Sequence, residues 1–194
     1  DPAPTIDNIF AGPVTLNEGT YSQYTYQTSG ASYDVNQLTP LGALYAASQI
    51  GGFTYDVTDK KMTDSGILML DNIRDPAGEW SYNYTKVKDP ATGQTIETWA
   101  WTCMVNGVIL DDYNSPTTDG LNIRQLVDGD EVIFYYGDSK LAGYSITDSI
   151  AQVKIQVNSG VIPTDWSIVL DGAKTMTVSK AYFEQGLAHA HQEY

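Results

Sequence analysis

The chain has 194 residues, 42% of them hydrophobic, with 14 tyrosines, 17 glycines and a formal net charge of −14 from 10 basic and 24 acidic side chains. That length can bury a core without covalent staples, and the composition is that of a folded, β-rich chain. So acidic a surface excludes nucleic acid and anionic membranes as partners, since both are bound chiefly by basic side chains on phosphate, and a single cysteine, Cys103, excludes an intrachain disulfide.

Residues 12–28 read as two strands. Val14 and Leu16 alternate with polar neighbours, Asn17-Glu18-Gly19 makes the turn, and Tyr21, Tyr24 and Tyr26 follow in a β-favouring run. One clear helix comes next. Thr39 suits its N-cap and Pro40 its first position; Leu41, Leu44, Tyr45 and Ser48 mark one face, and Gly51-Gly52 ends it. Strands are then expected at 53–57, 67–73 and 80–87, separated by turns such as Asp75-Pro76-Ala77-Gly78. Asp89-Pro90-Ala91-Thr92-Gly93 reads as a hairpin tip, with 79–88 going out and 94–105 returning. Asn106-Gly107 is a tight-turn signal, because both residues tolerate positive φ. A polar loop, 111–120, leads to Leu126, the turn Asp128-Gly129-Asp130 and a strand over 131–136.

This order predicts an α+β, β-rich fold: a β-grasp-like mixed sheet with one main helix, occupying 11–137. After Gly137 the texture changes. A connector over 138–144 precedes a small β-rich C-terminal segment, 145–194, in which Val153, Ile155 and Val157 face one way. A second β pair, 166–170 and 175–178, turns at Asp171-Gly172, and Ser179 could cap a short final helix. So small a segment should dock on the first domain or open a second one continuing beyond the sequence. The opening, Asp1-Pro2-Ala3-Pro4, fits a mature N-terminus after signal removal or simply a boundary, and no apolar run approaches the ~20 residues that span a bilayer.

The aromatic strand Trp99-Ala100-Trp101-Thr102-Cys103-Met104-Val105 running into Asn106-Gly107, a loop bearing Tyr113, and then the run from Leu126 through Asp128-Gly129-Asp130 to Tyr136 together resemble the DUF4430 family. Its domains are similar to the C-terminal β-domain of transcobalamin and intrinsic factor. The strand pair and Leu-rich helix upstream resemble that family's first half. The resemblance implies a non-catalytic, secreted or cell-surface module for protein interaction, adhesion or envelope assembly, with surface proteins or glycans as partners. It also implies an alternative, a small-molecule module for a corrinoid-like or carbohydrate ligand stacked on Trp80, Trp99, Trp101 or Tyr113. The stretch 165–172 resembles the opening of molybdopterin-oxidoreductase-like domains, but it lacks the cysteine that would ligate molybdenum, so no such chemistry carries over.

Other motifs have plainer explanations. Asp111, Asp112, Asn114 and Asp119 are raw material for a hard cation, yet their spacing matches no EF-hand and reads as a solvated loop. His189 and His191 could form a metal pair, with Glu184 or Glu193 as third ligand, only if that terminus is ordered. Cys103 reads as a buried inert thiol, and Asn83-Tyr84-Thr85 is a glycosylation sequon. With no catalytic signature and both histidines terminal, neither enzyme activity nor a cofactor or metal is expected.

Overall fold

A computed structural model describes residues 5–112, 114–139 and 148–159, together with the backbone of 165–170 and 174–179. Strand β1 (Asp7–Leu16) leads into a two-stranded sheet of β2 (Thr20–Tyr24) and β3 (Ser32–Asn36). Helix α1 (Pro40–Gly51) follows. A three-stranded sheet holds β4 (Thr54–Thr58), β5 (Met69–Arg74) and β6 (Ser81–Asn83), with the single-turn helix α2 (Met62–Ser65) between its first two strands. The hairpin β7 (Thr85–Lys88) and β8 (Thr95–Val105) comes next, then β9 (Val108–Ile109), the short α3 (Pro116–Asp119), β10 (Glu131–Asp138) and β11 (Ala151–Ser159).

The helix forms where its end signals lie. Thr39 Oγ1 accepts the Gly42 N–H at 3.2 Å, Pro40 occupies the first turn, and Gly52 closes the helix at φ 70° with its N–H on the Ser48 carbonyl at 2.9 Å. Leu41, Ala43, Leu44 and Ala47 are completely buried. Tyr45, grouped with them in the sequence reading, lies at the margin instead, with its ring stacked on Tyr21 at 4.3 Å.

The main sheet runs β1-β11-β10-β8-β7, with β9 pairing β8. Only the β1–β11 pair is parallel, so the sheet is mixed. Alternation sends Val105, Val132, Phe134, Val153, Ile155 and Val157 to one face, where they join Leu41, Leu44, Val35, Val57 and Ile73 in one core. The fold is therefore α+β and β-rich, built on a mixed sheet and one main helix.

One boundary differs from the sequence reading. Strand β11, assigned there to the segment 145–194, lies inside the main sheet between β1 and β10. Val153, Ile155 and Val157 are fully buried there, in the core shared with α1. The β pair β12 (Asp165–Leu170) and β13 (Lys174–Ser179) forms an antiparallel hairpin, while the proposed final helix lies outside the described residues.

Candidate functional site

The two turn motifs that anchor the DUF4430 resemblance meet in space. Asn106, at φ 51°, donates from Nδ2 to Asp130 Oδ1 at 2.8 Å and accepts the Glu131 N–H on Oδ1 at 2.9 Å. Asp130 Oδ2 accepts the Val127 N–H at 2.8 Å, and the Asp130 carbonyl accepts the Val157 N–H at 2.8 Å. Asp128 Oδ1 accepts the Ser159 N–H at 2.7 Å. These side chains tie β8, β10 and β11 together at one end of the sheet. Their polar atoms are occupied by the fold.

The structure gathers three of the four aromatics singled out from sequence; the fourth, Tyr113, lies outside the described residues. Trp99 and Trp101 alternate onto the same face of β8, and the ring of Tyr136 lies 5.9 Å from the first and 5.4 Å from the second. Tyr82 joins at 5.4 Å from Tyr136 and 6.4 Å from Trp101, and Trp80 sits 5.8 Å from Tyr82. Polar tips are bonded inside the cluster's surroundings: Trp101 Nε1 donates to the Tyr82 carbonyl at 2.8 Å, Tyr136 to the Asn83 carbonyl at 2.7 Å, and Tyr82 to Asp7 Oδ2 at 2.8 Å. Burial and the Asp7 carboxylate push the Tyr82 hydroxyl up to about 12. The cluster links β6 of the three-stranded sheet to β8 and β10 through rings that pack tilted or edge-on, Trp99 alone stacking on Tyr136. Trp80, Trp99 and Trp101 are half-buried in it, so each keeps part of its indole in reach of solvent.

Beside this joint is a cleft of about 190 Å³ walled by Met69, Leu70, Trp101, Leu110, Leu121 and Phe134, with Cys103 and Asp112 also lining it. Burial holds the Cys103 thiol far above its ordinary range, which keeps it protonated and unreactive. Burial, with Asp111 alongside, also raises the Asp112 carboxyl. At the 111–119 loop, Asp111 accepts from the Asn114 N–H and Nδ2 at 3.0 Å, and Asp119 pairs with Arg124 at 3.2 Å. Among the described residues no group of three or more His, Cys, Asp or Glu is placed to hold a metal; His189 and His191 lie outside them.

A second concavity, which the sequence did not disclose, is larger and more open to solvent. A trough of about 320 Å³ is lined by five tyrosines, Tyr21, Tyr24, Tyr26, Tyr45 and Tyr55, with Ser22, Gln23, Ser48, Gln49, Phe53, Thr54 and Asp56. Three elements converge here: β2 with the residues just past it, the exposed margin of α1, and β4. Gln23 is the hub. Only 7% exposed, it accepts from Tyr55 at 2.9 Å and from Tyr21 at 3.2 Å on Oε1, while Nε2 donates to the Tyr24 carbonyl at 3.1 Å. Burial pushes the Tyr21 and Tyr55 hydroxyls well above the ordinary tyrosine range, so both remain donors at any physiological pH. In contrast, Tyr24, Tyr26 and Tyr45 are 50%, 72% and 38% exposed. The trough thus has a locked base and accessible rings above it.

At one end Arg74 grips Asp56 through two bonds, Nε to Oδ2 at 3.1 Å and Nη2 to Oδ1 at 3.2 Å, with Asn72 adding a third at 3.2 Å. The paired tyrosines of β2 were visible in the sequence as strand residues. Nothing local told that Tyr45 and Tyr55 would meet them. No family model, curated protein or solved structure matches the chain.

Proposed function

We propose that this chain is a non-catalytic, secreted or cell-surface module of DUF4430 type that acts in adhesion, and that its contact surface is the tyrosine trough. The observation that supports this reading is the exposure of Tyr24, Tyr26 and Tyr45 over a base immobilised by Gln23. Large aromatic side chains supply contact area with little side-chain freedom to lose, and rings already held in place lose still less on binding. The chain's net charge of −14 adds repulsion between copies and against anionic partners.

Beads coated with the protein, tested on surfaces bearing glycoprotein or polysaccharide, check the reading. Wild-type beads should be retained, and beads carrying the Tyr24→Ala/Tyr26→Ala double variant should wash off. Equal retention of both would remove the trough from adhesion.

A further inference from the structure

We infer that the tyrosine trough is a subsite for a neutral carbohydrate, an oligosaccharide of uncharged pyranose rings, an assignment that rests on the adhesion reading above. A pyranose presents an apolar C–H face and a rim of hydroxyls, each able to donate and accept. The trough offers the complement of both. Tyr24 and Tyr26, with ring centroids 6.0 Å apart and planes at 59°, are open aromatic faces at an angle to one another. They suit successive rings of a bent chain better than one flat molecule, which would need parallel walls. Around them Ser22 and Gln49 are exposed, and Thr54 and the tyrosine hydroxyls add further donors and acceptors. The volume, about 320 Å³, falls at the small end of ligand sites, which run from about 300 to 1,000 Å³.

Charge sets the class. Asp56 is the one ionisable carboxylate lining the trough among its described residues, and the Arg74 guanidinium neutralises it by bidentate contact. A site without net charge, on a chain of formal charge −14, selects against anionic sugars and gives a cation no free carboxylate to pair with. A proline-rich peptide, the other common occupant of tyrosine-lined grooves, offers backbone acceptors but no donors at its prolines, because proline lacks an N–H. Its carbonyls can accept from the rim's hydroxyls and amide N–H groups, but it brings no N–H for the rim's acceptor oxygens, whereas each sugar hydroxyl both donates and accepts.

Isothermal titration with neutral trisaccharides of glucose, mannose and N-acetylglucosamine, alongside a sialylated trisaccharide and a proline decapeptide, tests the assignment. At least one neutral trisaccharide should bind, its acidic counterpart more weakly. Tyr26→Ala should weaken binding by about tenfold or more without lowering the melting temperature, because that ring is 72% exposed. Tyr84→Ala, at an exposed ring outside the trough lining, should leave affinity unchanged. Absence of binding by every neutral sugar, or equal affinity in Tyr26→Ala, would overturn the assignment, as would preferential binding of the decapeptide. If bead adhesion is lost in the double variant while no sugar binds, the carbohydrate assignment fails and the adhesion reading stands.

Discussion

Replacing Asp130 by alanine should cut into the junction that ties β8, β10 and β11 together. Asp130 is only 8% exposed, and its two carboxylate oxygens accept from Asn106 Nδ2 and the Val127 N–H, each at 2.8 Å. Hydrogen bonds to a charged group contribute about 1.5–3 kcal/mol each. Asn106 is exposed, so water can reach its freed amide, which places the loss for both bonds at the low end, about 3 kcal/mol. With a urea slope of about 2 kcal/mol/M, the unfolding midpoint followed by far-UV circular dichroism should fall by about 1.5 M. A cycle with Asn106→Gly isolates the shared bond, because glycine keeps the positive φ of 51° available. The two changes should couple by about 1–2 kcal/mol. A loss below about 1 kcal/mol for Asp130→Ala, or strict additivity with Asn106→Gly, would refute the claim that these motifs form one structural unit.

Three further outcomes follow from the geometry. In Gly42→Ala the new Cβ would lie 2.1 Å from the Gln37 carbonyl oxygen, backbone that cannot swing away, so a loss of about 3 kcal/mol is expected. At this size that is a fall of about 9 °C in melting temperature, and an unchanged melting temperature would contradict the packing described here. Asp59 is held down to about 2 by hydrogen bonds from Ser29 and Tyr33, so its contribution is present above the ordinary carboxylate range and lost as pH falls from about 4 through 2. Asp59→Asn should flatten melting temperature against pH across that window; parallel curves would argue against the bonded carboxylate. Cys103 should resist a disulfide-exchange reagent in the native protein at pH 8 and react fully in denaturant, whereas rapid native labelling would contradict its burial.

Local physics made much of the fold legible. The Thr39–Pro40 start and Gly52 stop of α1, the Asn106-Gly107 and Asp128-Gly129-Asp130 turns and the alternation of Val153, Ile155 and Val157 are set by residues close in sequence. What escaped depends on pairing between distant segments. Strand β11 reads as one-faced in isolation, but only its register with β1 places it within the main sheet. The indole residues Trp99 and Trp101 stand out by composition, yet Tyr82 and Tyr136 arrive from β6 and β10 and turn the group into a joint. The trough was hidden for the same reason, since Tyr21, Tyr45 and Tyr55 lie on three elements: Tyr21 and Tyr55 meet on the buried Gln23, and Tyr45 stacks on Tyr21. Sequence patterning reports which side chains leave the core on one element. It does not report which neighbours they then meet.

The most direct measurement is an aromatic carbon–proton NMR spectrum recorded during titration with the neutral trisaccharide that binds tightest. The ring signals of Tyr24, Tyr26 and Tyr45 should shift, while the indole signals of Trp80, Trp99 and Trp101 stay in place. Shifts centred on the indoles, with the three tyrosines unmoved, would contradict the account and return the binding surface to the tryptophan joint and its neighbouring cleft.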